Sequence, residues 1–97
     1  MKVYLAGKIT NNPDYYINFL KAEVDVKSKY NCTVLNPAKT VARIEGLEHS
    51  EYMHICKAMI DVCDTVAFMG NWVDSKGAKI EHDYAEKLGK NIIYLEE

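Results

Sequence analysis

The sequence predicts an α/β fold: one Rossmann-like or flavodoxin-like domain over residues 1–97, with about four parallel strands and three main helices. Three observations predict it. Short apolar runs alternate with longer amphipathic ones in the order strand, helix, strand, helix, strand, helix, strand, which right-handed crossovers wind into a parallel sheet. Val3–Ala6 is apolar throughout and Thr65–Met69 is rich in residues that suit a covered sheet, as strands buried on both faces require. No repeat, linker or charge tract divides the 97 residues. A chain of that length buries only about 60–65% of its unfolded surface, which favours self-association.

Taken in order, Val3–Ala6 is the first strand and stops at Gly7. Asn12-Pro13 marks a helix start, with Asn12 as cap and Pro13 at the first helical position, where its missing N–H costs nothing. That helix runs to about Lys29, with Tyr16, Phe19, Leu20 and Val24 on its inner side. Cys32–Leu35 is the second strand, ended by Asn36-Pro37. Residues 39–49 lack strong periodicity and read as a loop with room for a short helical turn. Glu51–Ile60 is the second helix, presenting Tyr52, Ile55 and Met59. Thr65–Met69 is the third strand and Gly70–Lys76 a polar loop. Gly77–Leu88 is the third helix, closed by Gly89 as a left-handed cap, and Asn91–Leu95 is the last strand.

Composition removes several classes of function. The chain is 48% hydrophobic and 27% charged, with a net charge of -2, so it is neither disordered nor built around a basic stripe for nucleic acid. No apolar run is long enough for export or a bilayer, and Cys32, Cys56 and Cys63 include no C-x-x-C pair. A cytoplasmic protein with reduced, mostly buried thiols is expected. His49, His54 and His82 form no metal-ligand pattern, and the dinucleotide, nucleoside-triphosphate and nucleophile-elbow motifs are absent, so neither metal nor cofactor is expected.

In parallel sheets, ligands bind beyond the carboxyl ends of the strands, where strand order reverses. Gly7–Thr10, Asn36-Pro37 and Gly70–Glu81 are therefore the segments to search. Ala78, Glu81, Ala85 and Leu88 are spaced three, four and three apart, so Glu81 shares a helical face with small or apolar residues. A carboxylate on that face is partly desolvated, which raises its pKa, while the helix start acts in the opposite sense. Such an acid is a candidate nucleophile or general acid/base; the alternative is a solvent-tilted glutamate. Ser75 and Gly77 leave a hydroxyl and backbone amides free for a phosphate, or Ser75 simply caps the helix. Trp72 is a stacking platform for a base or sugar, or a lid on a core edge.

These residues carry a resemblance. Val3-Tyr4-Leu5-Ala6-Gly7, Leu35-Asn36-Pro37-Ala38, Cys63-Asp64, and Gly70-Asn71-Trp72 with Ser75-Lys76-Gly77-Ala78 and Glu81 resemble the nucleoside 2-deoxyribosyltransferase superfamily, end to end, in a short branch common in phage and bacterial genomes. The resemblance implies that Glu81 attacks the anomeric carbon of a 2-deoxynucleoside or its 5′-monophosphate, oriented by Tyr4. The sugar then passes to a second base (transferase) or to water (N-glycosidase, a hydrolase). Ser75 stands where the transferases carry an aspartate and the nucleotide N-hydrolases a phosphate-binding serine. With Gly7 and Gly77, it favours a monophosphate.

Lys8 or Thr10 would add a phosphate contact, and Asn36, Pro37, Asp64, Trp72 and Ala78 complete the expected substrate site. Cys56 aligns with an aspartate that assists the leaving base, and Asp61, one turn on, is a substitute. A homodimer or larger homo-oligomer is implied, with Met53, Met59 and tyrosines of the first two helices as interface candidates. The alternative function is a non-catalytic module that binds nucleotides in the same pocket, for sequestration or regulation. A structural or interaction subunit ranks last, because it leaves Glu81 on a packing face without a purpose.

Overall fold

A computed structural model describes residues 1–96. Its four-stranded parallel sheet has the order β2-β1-β3-β4, with β1 at Lys2–Ala6, β2 at Thr33–Leu35, β3 at Thr65–Phe68 and β4 at Asn91–Tyr94. Three α-helices connect them: α1 (Tyr15–Lys29), α2 (His49–Asp61) and α3 (Lys76–Lys87). The expected class is correct.

Side chains alternate across β1 and so divide the core in two. Val3 and Leu5 pack with Phe19, Ala22 and Val26 of α1, whereas Tyr4 and Ala6 pack with Cys56 and Ile60 of α2 and Ala85 of α3. One helix thus covers one face and two cover the other. The chain leaves β1 for β2 on one side and returns past it to β3, so strand order reverses at the carboxyl ends of β1 and β3. Gly7 follows β1 at that point. A Cβ there would lie 2.8 Å from Met69 Sδ and 3.2 Å from Asn71 Oδ1, so a glycine lets the two strand ends approach.

Several expectations change. The first helix begins at Tyr15, not Asn12-Pro13. Asn12 instead ties the preceding turn, donating from Nδ2 to the Lys8 carbonyl and to Asn18 Oδ1 while accepting from the Asp14 amide. The buried face of α1 is rotated by about one residue: Val24 is 70% exposed, and Glu23 is buried instead. Glu23 can be buried because Asn36, Lys27 and Lys39 surround its carboxylate. Its pKa is lowered, since those partners outweigh the burial that alone would raise it.

Helix α2 starts earlier than expected, at a capping box in which Glu48 and Glu51 exchange backbone and side-chain bonds. It buries Met53, Cys56 and Ile60 most deeply, while the expected Tyr52, Ile55 and Met59 pack half-buried against the same core; Met53, expected at an interface, is 6% exposed within the protomer. The loop at 39–49 contains short 3-10 turns at Pro37–Lys39 and Val41–Arg43. Leu88 is 45% exposed, because α3 ends at Lys87 and the chain reverses at Gly89, whose φ of 69° fits the left-handed cap.

Candidate functional site

The reversal point opens into a cleft of about 820 Å³ between the loop after β1, the segment at 41–49 and the start of α3. Glu81 lies at its floor, 5% exposed, because the α3 face carrying Ala78 and Ala85 packs on the sheet and takes Glu81 with it. Tyr4 reaches it from β1. The Tyr4 hydroxyl donates to Glu81 Oε2 at 2.5 Å, and the ring is buried. Cys56, fully buried on α2, packs with Tyr4 in the same core cluster, and Tyr52, half-buried, packs against it.

The electrostatics follow from this enclosure. Burial pushes the Glu81 carboxyl up to about 7, and the Tyr4 and Cys56 contacts pull in the opposite direction without offsetting it. The Cys56 thiol is pushed up to about 12, first by burial and then by the adjacent Glu81 charge, so it is neutral at physiological pH. Tyr4 is raised by the same two causes and keeps its proton. A carboxyl that ionises near neutrality, in a pocket open to small molecules, can serve as a nucleophile or as an acid/base.

At the cleft mouth Ser75 caps α3: its Oγ accepts from the Ala78 amide at 3.1 Å, and the hydroxyl hydrogen remains available to a ligand. Gly77 is close to Met53 and His49, where a Cβ would sit 3.3 Å from Met53 Sδ. Lys8, Thr10, Pro37, Lys76 and Ala78 also line the cleft, and the Lys8 amide is held by Asn71 Oδ1 at 3.1 Å. The structure therefore brings Glu81, Tyr4, Gly7, Lys8, Thr10, Pro37, Ser75, Gly77 and Ala78 together as expected.

Four expected site residues lie elsewhere. Asp61 is exposed near the end of α2 and accepts from the Tyr84 hydroxyl at 2.5 Å, outside the cleft; one turn beyond Cys56 carries it past the sheet rather than toward Glu81. Asp64 precedes β3 and so sits at the amino end of the sheet, exposed and accepting from the Lys2 amide and the Thr65 hydroxyl, which hold its pKa low. Asn36 is consumed internally: Nδ2 donates to the Phe19 carbonyl and Glu23 Oε1, and Oδ1 accepts from the Ala38 amide. Trp72 stacks on His82 at 4.4 Å beside Phe68 and Tyr94, over a core edge.

Sequence reasoning missed Tyr52, His49 and Asp74, all of which line the cleft. The signal for Tyr52 was its spacing of four from Cys56 on one helix, which puts both on the side facing Glu81. His82, Asp83 and Glu86 bring ligand-type atoms within 4.8 Å of one another on α3, but Tyr94 and Glu86 already occupy the imidazole, and the group does not line the cleft.

Among the described residues, no helix is long and apolar enough to cross a membrane. No curated protein matches the sequence. A solved structure, the "2-desoxiribosyltransferase from Leishmania mexicana", is similar with a TM-score of 0.70 at 18% identity, over 97% of this chain and 63% of that one. This chain thus spans less than two thirds of that protein's length, and at this identity the likeness is one of fold alone. The family model described as a domain of unknown function (DUF4406) matches residues 1–94, and the chain belongs to that family.

Proposed function

We propose that this protein cleaves the N-glycosidic bond of a 2-deoxynucleoside 5′-monophosphate, with Glu81 as nucleophile, passing the deoxyribosyl group to water or to a second base. The observation that carries the reading is a single buried carboxyl at the floor of an open cleft, bonded by Tyr4 at 2.5 Å. The anomeric carbon has cation character in the transition state, and a carboxylate in a dry site stabilises it and then bonds to it. Tyr4 fixes the orientation of one oxygen and leaves the other for attack. The 5′-phosphate would lie at the start of α3, taking the free Ser75 hydroxyl hydrogen, backbone amides near Gly77 and Ala78, and the charges of Lys8 and Lys76. The fold of a deoxyribosyltransferase supports the same substrate class.

The test is intact-mass spectrometry of acid-quenched protein after incubation with 2-deoxynucleoside 5′-monophosphates. The parent gains the mass of a deoxyribosyl phosphate on the peptide containing Glu81, and Glu81→Gln does not. If Glu81→Gln releases base as fast as the parent, the mechanism is wrong.

A second reading, nucleotide binding without turnover, is favoured by one observation: Asp61 and Asp64 both lie outside the cleft, and neither backs Glu81. Calorimetric binding with no base release on long incubation would select it. Homo-oligomerisation in the cytoplasm belongs to the same proposal, and a strictly monomeric mass by light scattering would count against it.

A further inference from the structure

Ser75 is brought to the cleft mouth by a short segment that has little burial of its own. After β3 the chain runs Gly70-Asn71-Trp72-Val73-Asp74-Ser75, with one 3-10 turn at Trp72–Asp74. No residue of that turn is fully buried, and Gly70, Val73 and Asp74 are exposed. Asn71 ties the front of the segment to the loop after β1, accepting from the Lys8 amide at 3.1 Å. At the rear, Ser75 accepts from the Ala78 and Lys79 amides of α3, while its own amide donates to the Trp72 carbonyl at 3.1 Å. Helix and turn thus hold Ser75 from opposite sides.

The turn is in its place because of the Trp72 ring. The indole lies outside the cleft, stacked on the His82 imidazole with 4.4 Å between centroids and 11° between planes. The Phe68 ring of β3 packs beside it at 5.3 Å. His82 is itself fixed, with one ring nitrogen 2.6 Å from the Tyr94 hydroxyl and the other 3.3 Å from a Glu86 carboxylate oxygen. Flat rings in contact resist tilting, because a small gap forfeits much of their attraction. Consecutive residues of α3 therefore serve both ends of the cleft: Glu81 forms its floor, and His82 holds the ring behind its mouth.

We propose that Trp72 and His82 are positioning residues for the phosphate of the ligand. Their stack keeps the Ser75 turn in register with Glu81, and the preference for a 5′-monophosphate over the matching nucleoside depends on it. This rests on the placement of the phosphate at Ser75 in the reading above. The effect is confined to the phosphate for two reasons. A turn released from its ring moves the Ser75 hydroxyl out of line for a charge-assisted hydrogen bond. It also frees Asp74, a negative charge that lines the mouth beside Ser75, to approach the anion. The uncharged sugar and base feel neither change.

The experiment is calorimetric binding of the four common 2-deoxynucleoside 5′-monophosphates and the four matched nucleosides. Every protein in it carries Glu81→Gln, so that no ligand is consumed. The reference is compared with added Ser75→Ala, Trp72→Leu, Trp72→Phe and His82→Leu, each checked for folding by far-UV circular dichroism. Trp72→Leu is expected to weaken monophosphate binding about ten- to a hundredfold and nucleoside binding less than twofold. Trp72→Phe, which keeps a flat ring on His82, retains most of the preference. Equal losses on both ligands, or a preference that Trp72→Leu leaves intact, overturn the inference while the Glu81 reading stands. A reference with no preference, or one whose preference survives Ser75→Ala, removes the phosphate placement and this inference with it. If Trp72→Leu does not fold, His82→Leu decides. Trp72 is the only tryptophan of the chain, so its emission then reports directly on the lost stack. The emission must shift to the red and the monophosphate preference must fall; a preference that holds refutes the role.

Discussion

Replacing Glu81 by Gln removes a titrating proton from the cleft floor while keeping nearly the same shape and the acceptor that Tyr4 requires. Burial raises this carboxyl from its ordinary 4.5 to about 7 in the folded protein. At 1.36 kcal/mol per unit, that difference amounts to about 3 kcal/mol. The folded value is the higher one, so the folded protein holds the proton more tightly than the unfolded chain. The contribution is fully present below pH 4.5 and is lost as pH rises through 7, where the native state must carry a desolvated charge. Glu81→Gln carries no such charge at any pH.

The variant should therefore match the parent near pH 4.5 and exceed it by about 3 kcal/mol at pH 8, on the order of 10–20 °C in Tm for a domain of this size. Urea unfolding of both proteins at pH 4.5, 6 and 8, followed by far-UV circular dichroism, measures it. The groups whose folded pKa is depressed, Glu23 and Asp64, stabilise above their unfolded values and lose that as pH falls. They are common to both proteins and cancel in the difference. Any fixed offset from the Gln amide is independent of pH, so the slope is the quantity read. A difference that stays flat from pH 4.5 to 8 would mean that Glu81 is solvated, and the desolvation argument for its chemistry would fail with it.

Three further outcomes are expected. Tyr4→Phe deletes the donor to Glu81, pushing that carboxyl higher still; the acid limb of the kcat/KM profile moves to higher pH, and activity at pH 7 falls roughly tenfold. Gly7→Ala forces a methyl to within 2.8 Å of Met69 Sδ and 3.2 Å of Asn71 Oδ1, costing about 1–3 kcal/mol in urea unfolding and weakening nucleotide binding through the displaced Lys8 amide. Asp61→Asn and Asp64→Asn lie outside the cleft and should leave base release within about twofold of the parent; a large loss in either would return that carboxylate to the mechanism.

The sequence by itself determined the order of elements, the parallel sheet and the end of it at which the cleft opens. Those follow from local rules: hydrophobic period, caps such as Ser75 and Gly89, and the chirality of crossovers, each read within a few residues. It also determined that Glu81 faces inward, because its helical neighbours Ala78 and Ala85 do.

Tertiary structure decided the rest. Whether Glu23 or Val24 is buried on α1 depends on Asn36 and Lys39, supplied by a segment more than ten residues away, and no periodicity within the helix contains them. Asp64 belongs to the opposite end of the sheet from Glu81 because it comes before its strand, a fact legible in the sequence once the strand direction is fixed. Tyr52, Cys56 and Glu81 lie on one side of the sheet only because α2 and α3 share that face, and Tyr4 points to it by strand alternation. Which side chains interact across a cleft is set by how separate elements dock, and the free energy of docking is spread over the whole core rather than carried by any one segment.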